Sequence, residues 1–76
     1  MTCENKRQVV ERYLRPLLQS ADLGIRNVEY CATDNGASEV IYICTENDDF
    51  PVDVSRDSIL RMLYDVVIAL NEVLNR

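Results

Sequence analysis

Asp34-Asn35-Gly36 constrains this chain more than any other segment, because it sits between two runs that read as β-strands. Gly36 suits the positive φ of a tight hairpin turn, either type I′ or type I with a bulge. The two choices differ by one residue in strand register, and the local sequence fits both. Upstream, roughly Ile25 to Thr33 alternates, with Val28, Tyr30 and Ala32 on one face. Downstream, Glu39 to Thr45 contains the apolar run Val40-Ile41-Tyr42-Ile43-Cys44. A polar turn from Glu46 to Asp49 leads into Phe50-Pro51-Val52-Asp53-Val54. Pro51 has no N–H to give a ladder, which places this third strand at an edge.

Helical periodicity flanks the strands. From about Glu4 to Ala21, Val10, Tyr13, Leu14, Leu17, Leu18 and Ala21 share one stripe. Pro16 falls inside it and predicts one bent helix, stopped by Gly24. At the other end Ser55 reads as an N-cap, with Val54 and Ile59 at the spacing of a hydrophobic staple and Asp57 near the positive end of the helix dipole. The last helix, about Arg56 to Leu74, is expected to bury Ile59, Leu63, Val66, Val67, Leu70 and Val73. With no repeat, linker or low-complexity segment, residues 1–76 read as a single domain. The expected fold is α+β: a two-layer α-β-β-β-α domain, its three-stranded antiparallel meander carrying both helices on one face.

A domain of 76 residues buries only about 60% of the surface its unfolded chain exposes, so nearly every apolar side chain must pack. This chain has more than one sheet face can use. The second face of such a sheet is usually polar, yet Val40, Tyr42 and Cys44 point one way and Ile41 and Ile43 the other. Tyr64 and Ile68 also lie towards the polar side of the last helix. Tyr42, Ile43, Tyr64 and Ile68 are therefore the expected self-association residues, and a homodimer is the commonest outcome of such a surplus.

Charge points to a second kind of contact. From Asn27 to Arg76 there are ten acidic side chains and three basic ones, and Glu46, Asp48, Asp49, Asp53 and Asp57 fall within twelve residues. Such a field favours cationic partners and repels nucleic acid. These five form the candidate acidic partner-binding face.

The residues needed for most catalysis are missing. Without histidine, the usual general base and the usual transition-metal ligand are both absent. Cys31 and Cys44, on neighbouring strands, could at most form a redox pair, and Cys3 falls near the start of the chain. Glu46-Asn47-Asp48-Asp49 lacks the central Gly and terminal Glu of an EF-hand loop. Two glycines make no phosphate-cradling loop. The expectation is a protein that is not an enzyme and uses no cofactor or metal. Charged residues from Glu4 onward and an odd cysteine count predict a cytoplasmic chain with reduced thiols, and no apolar run is long enough to span a membrane. The element order is also that of the double-stranded RNA-binding domain. Such domains grip phosphates at the start of the second helix, where this chain has Ser55-Arg56-Asp57-Ser58, so nucleic-acid binding is disfavoured.

Val40-Ile41-Tyr42-Ile43, a polar turn, Val52-Asp53-Val54-Ser55-Arg56-Asp57-Ser58 and Asp65-Val66 together carry a resemblance. Over Glu39 to Leu70 the chain is similar to small uncharacterised proteins of Firmicutes prophages and conjugative elements. The resemblance implies a mobile-element origin and no reaction. The leading expectation is a small acidic protein-interaction module, in its most concrete form an anti-CRISPR-like inhibitor that occupies a basic nucleic-acid-binding site on a host protein. The alternative is a homodimeric structural or regulatory accessory protein.

Overall fold

Pro16 does not break the first helix; one widened turn absorbs it. The computed structural model describes residues 3–75. In it α1 (Cys3–Val9), a π-helical turn (Val10–Leu14) and α2 (Arg15–Ser20) follow one another with helical backbone at each junction. Proline has no N–H for the carbonyl four residues back, and its ring crowds that carbonyl. The Arg15 amide instead reaches the carbonyl of Val10, a five-residue step that opens the turn and makes room.

The same turn sets which side chains are buried. Lys6, Val10, Leu14 and Leu18 are buried at every fourth position. Four α-helical residues overshoot a full turn by about 40°, and a π turn, holding roughly one more residue, takes that drift back. The every-fourth row thus stays over the sheet. Tyr13, Leu17 and Ala21, expected on the inner stripe, are exposed instead.

The strands β1 (Ile25–Thr33), β2 (Ser38–Thr45) and β3 (Asp49–Asp53) form an antiparallel sheet in the order β1-β2-β3. The hairpin takes neither of its two expected short forms. Asp34, Asn35 and Gly36 all have positive φ, and the turn sets Thr33 opposite Ser38. A register shift between Ile25 and Asn27 lets Ile25 and Val28 both face the core despite their odd spacing. Pro51 lies on the edge strand opposite Tyr42, as its missing donor requires. At the other edge, Arg15 Nε donates to the Val28 carbonyl at 2.8 Å and Gln19 Nε2 to the Arg26 carbonyl at 2.6 Å. Helix side chains thereby satisfy part of the β1 edge that would otherwise pair with another strand.

The last helix, α3 (Ile59–Leu74), starts later than expected because its cap is Ser58 and not Ser55. Ser58 Oγ accepts the Arg61 amide at 3.1 Å. The Ser55 hydroxyl is occupied by the Glu39 amide at 2.9 Å, and Arg56 turns into the left-handed region at φ 64°. With the cap moved, α3 buries Met62, Val66 and Leu70, while Val67, expected inside, is exposed.

Val28, Tyr30, Ile41, Ile43, Val52 and Val54 meet Val10, Leu14, Leu18, Met62, Val66 and Leu70 in one core. Both helices therefore cover the same face of the sheet, as the α+β two-layer reading expects. Ile43 is 0% exposed, so it belongs to this core and not to a self-association surface. Among the described residues, no helix is long and apolar enough to cross a membrane.

Candidate functional site

The strand register lays out the uncovered sheet face in three rows. Cys31, Val40 and Asp53 form one, Glu29, Tyr42 and Pro51 the next, and Asn27, Cys44 and Asp49 the third. Val40, Tyr42 and Cys44 make an apolar column down the middle, with Glu29, Asp49 and Asp53 beside it. None of these nine residues is a lysine or arginine. Tyr42, at 38% exposure, stands at the centre. Tyr64 and Ile68 project from the helical layer, so the expected self-association residues do not form one patch.

The five expected acids do not form one cluster either. Glu46 and Asp48 are exposed in the β2–β3 turn, next to Asp49. That turn is held by the Thr45 hydroxyl and amide, which donate to the Asp48 carbonyl at 2.7 Å and 2.8 Å. Asp53 lies at the far end of β3, roughly 13 Å away at the usual strand rise. Its carboxylate accepts the Ser55 amide at 2.9 Å, and that bond holds it below the usual aspartate range. Asp57 is only partly exposed. Its Oδ2 is buried with no hydrogen-bond partner among the described residues. The acid that the sequence reading missed on this face is Glu29. It is far away in sequence, and only the hairpin register brings it beside Tyr42.

The register also separates the cysteines. Cys31 faces Val40 and Cys44 faces Asn27, an offset of roughly 13 Å along the strands against a disulfide limit of about 7 Å between Cα atoms. Both thiols are free. Burial, with Asp49 and Glu29 nearby, pushes the Cys44 thiol up, which keeps it protonated and a poor nucleophile. The Cys3 side chain lies outside the described residues.

A charged cluster lies under the opposite face, and sequence reasoning did not find it. Lys6 and Glu39 are each 4% exposed. Lys6 Nζ donates to Glu39 Oε1 at 2.9 Å and to the Val54 carbonyl at 3.2 Å. The Tyr30 hydroxyl donates to Glu39 Oε2, and the Arg56 amide to Oε1 at 3.3 Å. Burial opposes the charge on Glu39. The Tyr30 hydroxyl, the Lys6 ammonium and the Arg56 amide outweigh it and hold the carboxyl below its usual 4.5. The every-fourth spacing of Lys6 with Val10, Leu14 and Leu18 was the available signal, but a lysine there reads as solvent-exposed until a partner is known.

Beside this cluster, burial and then the facing Asp65 carboxyl push Asp57 up to about 6. A raised folded value means that Asp57 contributes stability fully below its unfolded 3.8 and loses it as pH rises through about 6. Asp57→Asn should therefore match the parent near pH 4 and exceed it at pH 7.5 by about 1 kcal/mol, after allowance for partial exposure. Urea unfolding at both pH values measures this. An equal effect of the substitution at both would refute the strained carboxyl pair.

No family model, no curated protein and no solved structure matches this chain. Among the described residues, no group of three or more Cys, Asp or Glu side chains is placed to hold a metal ion.

Proposed function

We propose that this chain is a non-enzymatic protein-interaction module whose uncovered sheet face receives a basic partner. The observation that carries the reading is the Val40-Tyr42-Cys44 column with Glu29, Asp49 and Asp53 beside it and no basic residue in the three rows. A desolvated apolar centre supplies most of the affinity of such a contact. The acids speed encounter with a cationic surface and turn nucleic acid away. A face contact is favoured over strand addition, since Pro51 blunts one edge and Arg15 and Gln19 occupy part of the other.

A protein with a basic nucleic-acid-binding site is the partner class with the matching chemistry. The resemblance to mobile-element proteins gives the proposal its concrete form, an anti-CRISPR-like inhibitor of a host nuclease. Glu29, Glu46, Asp48 and Asp49 would stand in for phosphates. Asp53 and Asp57 contribute less, because one holds the Ser55 amide and the other is half-covered.

Glu29, Glu46 and Asp49 are exposed, so the triple variant E29K/E46K/D49K should keep the fold. Its affinity for a partner captured by the parent protein should fall at least about 100-fold, and duplex nucleic acid should compete with the parent for that partner. Unchanged affinity in the triple variant would overturn the reading.

A further inference from the structure

The helix α3 carries two stripes, and the fold uses only one. Met62, Val66 and Leu70 are in the core. Leu60, Tyr64, Val67, Asn71 and Leu74 follow one another at spacings of four, three, four and three residues, and all are exposed. Leu60 is 78% and Val67 62% exposed. A surface helix normally turns polar side chains outward. The alternation of four and three is instead the repeat of a seam between two helices.

We propose that this seam pairs α3 with α3 of a second copy of the chain, in antiparallel orientation. Charge selects the occupant. The protein carries a net charge of −5, and two copies meeting through their acidic sheet faces would repel. The seam itself has no formal charge. Arg61 near the start of α3 and Glu72 near its end are of opposite sign, so antiparallel pairing brings Arg61 towards the partner's Glu72. It also opposes the two helix dipoles and adds Ile68 against the partner's Ile68. At the N-terminal end of the seam, Ser58, Leu60, Arg61 and Tyr64 line a shallow hollow of about 420 Å³. Antiparallel pairing aims the partner's Leu74 into it.

A sixteen-residue helix offers only about 24 Å of contact, which places the interface at the small end of specific pairs, with a Kd in the micromolar range. The contact leaves the sheet face free, so it stands or falls independently of the basic-partner site.

Light-scattering chromatography on the full chain tests it. The expected mass is twice 8.7 kDa at about 100 μM and falls towards the single-chain value near 1 μM. High salt should leave the dimer intact, because apolar burial holds it. Val67→Glu should give a monomer with unchanged circular dichroism and an unchanged unfolding midpoint at low concentration. Tyr42→Glu, on the opposite side of the domain, should remain dimeric. A parent protein that is monomeric throughout, or a Val67→Glu variant that still dimerises, would overturn the proposal.

Discussion

Lys6→Met lowers the stability of the folded chain by about 3 kcal/mol, the usual cost of removing one partner from a buried ion pair. Lys6 and Glu39 are each 4% exposed and 2.9 Å apart. Losing the ammonium leaves a desolvated carboxylate with the Tyr30 hydroxyl and the Arg56 amide, and leaves the Val54 carbonyl with the Asp57 amide as its one remaining donor. A domain this small has only about 4–11 kcal/mol in total, and the loss corresponds to a fall in Tm of about 12–24 °C. Adding Glu39→Gln should recover more than half of it. Glutamine can accept the Arg56 amide with its carbonyl oxygen and donate its amide N–H to the Tyr30 hydroxyl oxygen, and it carries no unpaired charge. The sign with pH is set by the lowered value of Glu39. Its contribution is present above the unfolded value and disappears as pH falls through the folded one, so the gap between Lys6→Met and the parent should narrow on acidification. Urea unfolding of the single and double variants from neutral to acid pH gives all three numbers. A double variant no more stable than Lys6→Met would show that the cost is lost packing and not an unpaired charge.

Neighbouring positions on β2 should respond very differently to truncation. Ile43→Ala removes buried methylenes from between the sheet and the helices, a change that costs about 3 kcal/mol when the cavity cannot collapse. Tyr42→Ala acts on a side chain that is 38% exposed on the open face and should cost under about 1 kcal/mol. Chemical denaturation of the two variants measures the contrast. A one-residue slip in the hairpin would exchange the two faces and reverse the order. Similar costs at both positions would contradict the register that places Ile43 opposite Val28 and Tyr42 opposite Glu29.

Local patterns were legible wherever one residue type has one physical consequence. Alternation placed a strand at roughly Ile25 to Thr33, where the structure has it, and Pro51 put its strand at an edge because proline lacks a donor. Position-dependent features were not legible. Ser55 and Ser58 both precede an apolar run, and the choice between them turned on Ser55 being held by Glu39, sixteen residues earlier. Tyr13 and Leu17 fit an ideal helical stripe, but the π turn before Pro16 rotated them outward. For the candidate site, Tyr42 and Asp49 could be named from the sequence. Glu29 could not, because cross-strand neighbours depend on a register that Asp34-Asn35-Gly36 left open.

By itself, then, the sequence determined the order of elements, the two-layer class and an excess of acid and apolar surface, since these follow from periodicity, turn chemistry and composition. Only the tertiary structure decided how that excess is divided. The register and the single covered face of the sheet sent Ile43 inward and Tyr42 outward, parted the five acids, and joined Glu29 to Asp49. The packing of α3 on the sheet through Met62, Val66 and Leu70 left Leu60, Val67 and Leu74 outside the core. Contacts between residues distant in the chain are set when the layers pack, and no local pattern encodes them.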